Sequence, residues 1–375
     1  MGARGLRQEE RHPLTVPHTQ DEATPAGPWV TDSATDRVLL YAGLYVTLAV
    51  LGYAAWLGEL PRITHEGSGF TGMLSLLTVL VLFSPHLLAT VWLAFSNDAL
   101  REALPDGGRR FRRANLVFIA VLAPLLLVAS QGRGSLLIVF GLIGLMDAFH
   151  FTAQDRGFLS VYRHRVGQGE AFARRDNRLM RYVMVWTVLN TLAAPDGAFW
   201  IDIGLVGQLW PATLPSWLFT CSHVILGLLA LDALQGELRR PEGPHWPKLA
   251  FLLSALATYA LVPATPILGY LASRVHHGAS YLGLSRHMVR RLDAAGRFRG
   301  RLFPRLASSH LGVYLMGMAL LAMPVSVAMA MTGHLDTAHL AGGLVLGVNF
   351  HHYFVDAFIW RFRRPEVRAG VAAYI

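Results

Sequence analysis

His86, His150, His277, His310, His351 and His352 are the residues of this sequence whose type and placement could do chemistry. Each stands in, or at the end of, an apolar run. Ionisable groups in such runs are costly and mark sites. Neutral imidazole suits the setting, because it binds iron, zinc or copper through one ring nitrogen without bringing a charge. Two carboxylates accompany the histidines. Asp147 lies three residues before His150, and Asp356 lies four after His352, so on a helix each pair shares a face.

These eight residues form the expected metal-ligand set. Asp147 and Asp356 would ligate directly or hold an imidazole tautomer from behind. For Asp356 the equal alternative is an ion pair with Arg361 or Arg363. Gln154, Asn349 and Tyr353 are expected to orient ligands or a bound cofactor, although Tyr353 and Trp360 also suit an interfacial aromatic belt. His223 stands alone near mid-run and reads first as a packing residue; His164, His245 and His287 read as solvated loop residues. The expected cofactor is one or two metal ions, iron before others. Haem is the alternative, held by His86 with His150 or by His223 with His310.

The elements that must carry these residues are long apolar segments. Of the 375 residues 53% are hydrophobic and only 15% charged, against about 25% charged in soluble domains. Clear runs are Val38–Leu57, Thr71–Phe95, Asn115–Ser130, Ser135–His150, Leu214–Leu234, Lys248–Tyr270, Leu311–Met331 and Thr337–Phe354; Leu179–Ala194 and Ala198–Leu209 are shorter. Segments crossing lipid must satisfy their own backbone, and no ten-residue alternation of a barrel is present, so the runs are helices. The fold expected is an all-α transmembrane bundle of about eight spans, or about ten if both short segments cross.

Arginine sets the orientation. The clusters at Arg101–Arg113, Arg156–Arg178, Arg274–Arg305 and Arg361–Arg368 alternate with arginine-poor connections, which places all four clusters at the cytoplasmic face of a bacterial inner membrane. Residues 179–234 must then cross an odd number of times, one or three, or the last basic clusters would lie outside. Both termini then lie in the cytoplasm: a disordered tail over 1–36, the membrane domain over 37–360, and a basic tail over 361–375. On this topology the six histidines reach one depth near the cytoplasmic side.

Several classes are excluded. The net charge of +9 is not interleaved with stacking aromatics, so no nucleic-acid groove is expected. The single cysteine, Cys221, excludes an internal disulfide and a multi-cysteine metal site. Residues 1–36 lack the apolar core of a signal peptide. No dinucleotide fingerprint, phosphate loop or nucleophile elbow occurs.

The stretch from Asn349 to Arg368, N-F-H-H-Y-F-V-D-A-F-I-W-R-F-R-R-P-E-V-R, resembles the end of a loosely defined group of bacterial multi-span membrane proteins. That group shares H-Y-x-x-D-x-x-I-W-R and earlier histidine motifs at span ends, which His150–Gln154 and His277–Tyr281 resemble. The resemblance covers three short segments and implies topology more than chemistry. Histidine placement is also similar to that of membrane desaturases and hydroxylases. Their H-x-x-x-H and H-x-x-H-H boxes are absent, and His351-His352 supplies only the doublet.

The leading expectation is thus a membrane metalloenzyme, a non-haem iron oxidoreductase acting on a lipid-like hydrophobic substrate from the bilayer, supplied by an electron donor. The alternatives are a haem electron-transfer protein, a transporter with a histidine proton relay, and a lipid-modifying transferase with a histidine base.

Overall fold

A computed structural model describes residues 27–57, 81–82, 84–104, 106–130, 133–193, 215–264, 266–331, 338–360, 365, 367 and 374–375, without side chains at 57, 125–130, 133–144, 190–193, 216, 263–264, 266–267, 328–331 and 338–346. Ala198–Leu209 and the first part of Thr71–Phe95 lie outside the described residues.

Among the described residues the chain is all-α, with no strand. The long helices are α1 (Ala42–Leu57), α2 (Ser84–Ser96), α3 (Arg109–Ser130), α4 (Arg133–Arg165), α5 (Glu170–Ala193), α6 (Ser216–Leu238), α7 (Trp246–Ala264), α8 (Pro266–Ala294), α9 (Leu311–Met331) and α10 (Ala338–Ile359). Helix α8 is the hub, packing on α1, α2, α4 and α7; α10 packs on α2, α3 and α9.

The expected span Lys248–Tyr270 is two helices. Pro266 cannot donate a backbone hydrogen bond and disfavours helix at the residue before it, yet it is well suited to start one. The chain therefore ends α7 at Ala264 and turns back as α8. Ser254 facing His276, and Gly269 facing Leu261 and Val262, make the pair an antiparallel hairpin. A Cβ at Gly269 would lie 2.4 Å from the Val262 backbone nitrogen. Gly269→Ala must pry the hairpin open, and is expected to cost about 1–3 kcal/mol or more. A lowered melting temperature in detergent checks this.

The tail expected to be disordered over 1–36 is packed where it is described. Asp36 is fully buried and accepts from the Val30 and Thr31 amides at 2.9 and 3.0 Å, and from Tyr162 Oη at 3.0 Å. The last residue of the expected basic tail is also tied down, since the Ile375 carbonyl accepts from Arg291 at 3.2 Å and from Arg165. His245, read as a solvated loop residue, is buried against the Pro28 carbonyl at 3.0 Å, and burial pushes its imidazole below the ordinary histidine range. His287 lies inside α8.

A buried charge cluster joins the ends of α4, α5, α6 and α7. Lys248, with no exposed surface, donates to Asp176 and Gln168 at 2.9 Å and to Glu237 at 2.5 Å. Arg163 reaches Asp176 at 2.7 Å, and Gln168 Nε2 donates to both Glu237 oxygens at 3.0 Å.

Among the described residues one helix, Trp217–Leu238, is long and apolar enough to cross a membrane. Ser33–Leu40 with Ala42–Trp56 makes a second only if their 42° bend falls within one span, and Trp246–Val262 and Leu311–Val327 are shorter. Large apolar side chains nonetheless face outward on several helices, among them Leu48 and Leu51 of α1, Leu116 and Val117 of α3, Leu228 of α6, and Met316 and Leu320 of α9.

Candidate metal centre

Four helices bring one imidazole each into one cluster linked through His352: His86 from α2, His150 from α4, His277 from α8 and His352 from α10. His86, His277 and His352 are buried. His86 Nε2 lies 3.0 Å from His352 Nε2 and 3.3 Å from His277 Nε2. Asp356, one turn beyond His352 on the same face, brings Oδ2 to 3.6 Å from His352 Nε2 and 3.4 Å from His150 Nε2. His352 is thus shared by two triads that could each hold a metal ion, His86–His277–His352 and His150–His352–Asp356.

The close approach of α2 and α8 depends on Gly278. A Cβ there would lie 3.0 Å from the Leu82 carbonyl oxygen, just before α2 begins. The imidazoles meet edge to face, with ring planes 86° apart for His86 and His277 and 89° apart for His86 and His352. Nitrogens therefore point inward, and the rings do not stack.

The spacing fits ligands of one ion. Nitrogens about 2.1 Å from a metal sit about 3.0 Å apart at right angles and about 3.4 Å apart at the tetrahedral angle. Of the pairs read for a haem, His223 and His310 are both exposed, and His86 turns its Nε2 to His352 and His277 instead of to a partner across a macrocycle. The donor atoms also need a partner. His150 Nε2 and Asp356 Oδ2 are buried without a hydrogen bond among the described residues, a condition that is rare unless an ion or water completes it.

Supporting contacts hold the ring positions. Thr90 Oγ1 donates to the His86 carbonyl at 3.1 Å, Gln154 Nε2 to the His277 carbonyl at 3.0 Å, and Tyr281 Oη to Asp356 Oδ1 at 3.3 Å. Gln154 thus orients the backbone of a cluster histidine through Nε2, while its Oε1 is buried without a hydrogen bond among the described residues.

The remaining residues read from the sequence lie elsewhere. Asp147 is buried, but Tyr353 donates to one of its oxygens, and Tyr270 and Arg274 (2.9 Å) to the other. Its lone pairs are spent on that network, one turn from His150. Tyr353 is consequently a strut between α10 and α4, its ring 4.9 Å from that of His150. His351 turns away from the cluster, and its Nε2 meets Asn115 Oδ1 at 2.8 Å. His310 is exposed just before α9 and joins no cluster. His223 is exposed and bonded to the Phe219 carbonyl at 2.7 Å. Asn349 is buried with Oδ1 unpartnered, one turn before His352.

Sequence reading missed Tyr270, Arg274 and the neighbouring trio His276, Asp155 and Tyr259. Arg274, the first residue of an arginine cluster, pairs with Asp147 at 2.9 Å between α8 and α4. His276 Nε2 lies 3.3 Å from Asp155 Oδ1, and Tyr259 Oη donates to Asp155 Oδ2 at 2.8 Å. The available signal was the spacing of Tyr270 and Arg274, one turn apart on one face.

A cavity of about 580 Å³ opens beside the cluster. His150, Gln154, Arg156, Tyr281, Tyr353 and Asp356 are its polar lining residues, and the other described lining residues are mainly apolar. No protein-family model, curated protein or solved structure matches the chain.

Proposed function

We propose that the protein is a membrane-embedded, histidine-ligated iron oxidoreductase acting on a lipid-like substrate. The observation that carries the reading is the convergence of four Nε2 atoms and Asp356 Oδ2, two of them left without hydrogen bonds, at the wall of an apolar cavity. His86, His277 and His352 would hold one ion, and His150 and Asp356, sharing His352, offer a second position. A nitrogen-rich set with one carboxylate favours iron over magnesium or calcium, and the absence of thiolate argues against a structural zinc site. Such an ion would supply one-electron chemistry with dioxygen, given electrons from an external donor.

The chain's own part is placement and exclusion. Tyr281 steadies Asp356, and the Asp147–Tyr353–Arg274 network fixes α4, α8 and α10 relative to one another. The apolar wall keeps water from the reacting atoms.

The membrane setting is supported by the outward apolar side chains on α1, α3, α6 and α9, a distribution that lipid tolerates and water does not. Ten crossings, α1 to α10, with both termini cytoplasmic, satisfy every arginine cluster. The α7–α8 hairpin removes the odd-crossing requirement on residues 179–234, because α5 and α6 then form an even pair.

Elemental analysis with an optical spectrum of detergent-purified protein tests the assignment. About one or two iron ions per chain, without a Soret band, are expected. A Soret band, or no stoichiometric metal, overturns it. His310→Ala and His223→Ala should leave the metal content unchanged, since both rings are exposed and remote from the cluster.

A further inference from the structure

A second groove lies away from the histidine cluster, between α5 and α6, with a volume of about 560 Å³. Arg174, Arg178 and Arg181 line it from α5, and Tyr182, Val185 and Leu229 continue the same lining. The arginines are spaced four and three apart, so they stand on one helix face. From first to last they rise about 10 Å along the axis, and Val185 lies about 6 Å further on. Tyr182 bridges the two helices, its hydroxyl donating to the Ser222 carbonyl at 3.1 Å. The groove is therefore cationic at one end and apolar at the other.

The charge at the cationic end is uncompensated. All three arginines are exposed, and none has a hydrogen bond or an ion pair among the described residues. The nearby acids are engaged elsewhere. Asp232 pairs with Arg175 at 3.3 Å, Asp176 with Arg163 at 2.7 Å, and Glu237 with Lys248 at 2.5 Å.

The position of the groove suits a lipid. One wall is the helix that is long and apolar enough to cross a membrane, Trp217–Leu238. Its Val224, Leu228 and Leu231 are exposed, as is Val185 across the groove. Arg175 packs on Asp232 and Gly236, so the arginine stretch lies beside the last two turns of α6, where a span meets the headgroups. Guanidinium binds phosphate through two parallel hydrogen bonds, and basic pockets between spans hold anionic headgroups. An acyl chain attached to that phosphate would use the apolar end as well.

We infer that the groove binds one anionic phospholipid, its phosphate held among Arg174, Arg178 and Arg181 and an acyl chain lying over Tyr182, Val185 and Leu229. The inference rests on the membrane setting proposed above and is independent of the metal centre.

The experiment displaces a fluorescent phosphatidylglycerol from the detergent-purified chain with unlabelled phosphatidylglycerol, phosphatidylcholine or inorganic phosphate. Phosphatidylglycerol should displace it at least tenfold better than phosphatidylcholine, and phosphate alone should not displace it. The triple variant Arg174→Gln/Arg178→Gln/Arg181→Gln should weaken phosphatidylglycerol at least tenfold. Arg110→Gln/Arg112→Gln/Arg113→Gln removes the same charge from exposed positions at the start of α3 and should leave binding unchanged. Val185→Trp keeps the charge and fills the apolar end. It should also weaken phosphatidylglycerol, and it serves as the test should the groove triple fail to fold.

Equal losses in the two triples would overturn the inference, because they would mean attraction to net charge alone. Unaltered binding in the folded groove triple or in Val185→Trp would also overturn it, as would displacement by phosphate that matches phosphatidylglycerol. The two readings fail separately. A chain that stays in solution without detergent removes the membrane setting and the inference with it; a detergent-requiring chain with no preference for phosphatidylglycerol removes the groove alone.

Discussion

His352→Ala is expected to empty the metal centre. His352 is the one ligand common to both triads, and its Nε2 is within 3.6 Å of both His86 Nε2 and Asp356 Oδ2. Removing it breaks the geometry of the whole set and leaves a void at the meeting point of α2, α4, α8 and α10. Even residues behind a ligand typically change metal affinity by about 10–100-fold, so loss of the shared ligand should exceed the upper end of that range. Metal per chain after dialysis should fall below about one tenth of the wild-type value. Asn115, which bonds the neighbouring His351, supplies the contrast. His351→Ala removes an imidazole one residue away and should keep the metal. Equal metal retention in both variants would mean that the cluster is only a packing feature.

Lys248→Met should give the largest loss of stability in the chain. The ammonium is wholly buried between Asp176 and Glu237, themselves almost wholly buried. Methionine keeps the volume but leaves Glu237 with Gln168 as its side-chain partner and Asp176 with Arg163 alone. Removing one member of a buried charge set costs about 3–5 kcal/mol, because the remaining charges lose their compensation. Unfolding in mixed detergent micelles measures the change. Adding Glu237→Gln to Lys248→Met should recover part of it, since the stranded carboxylate disappears. A change below about 1 kcal/mol for Lys248→Met, the scale of an exposed pair, would show that water reaches the cluster.

The sequence was informative where a property is local. Apolar runs and the arginine alternation led to helices. The four-residue step from His352 to Asp356 led to a shared face, and both residues point to one place in the structure. Depth along the bundle was legible for His86, His150, His277 and His352. Rotation about each helix axis was not. His351 has the same depth as its neighbour, but one residue turns it by roughly 100°, toward Asn115. His310 stands just before α9, as its place ahead of the run implied, but its side chain is exposed. Asp147 shares a face with His150 as its spacing implied, yet which partners fill that face depends on Tyr270, Arg274 and Tyr353 from two other helices. Long-range choices of that kind leave no trace in local spacing.

The hairpin shows a different limit. Pro263 and Pro266 were visible, and proline at a helix start is a familiar signal. Within a long apolar run the composition outweighed it, so one span stood where α7 and α8 fold back. The buried N-terminal segment was masked for the opposite reason. Its polar composition reads as disorder, while Asp36 satisfies the backbone of Val30 and Thr31 from inside the fold.

The most direct test of the account is X-ray absorption at the iron edge of the purified, wild-type chain. Two triads joined at His352 predict a shell of nitrogen and oxygen at about 2.1 Å, with the outer-atom scattering of several imidazole rings, lost in His352→Ala. An edge signal absent from metal-replete protein, or a shell without imidazole scattering, would contradict it.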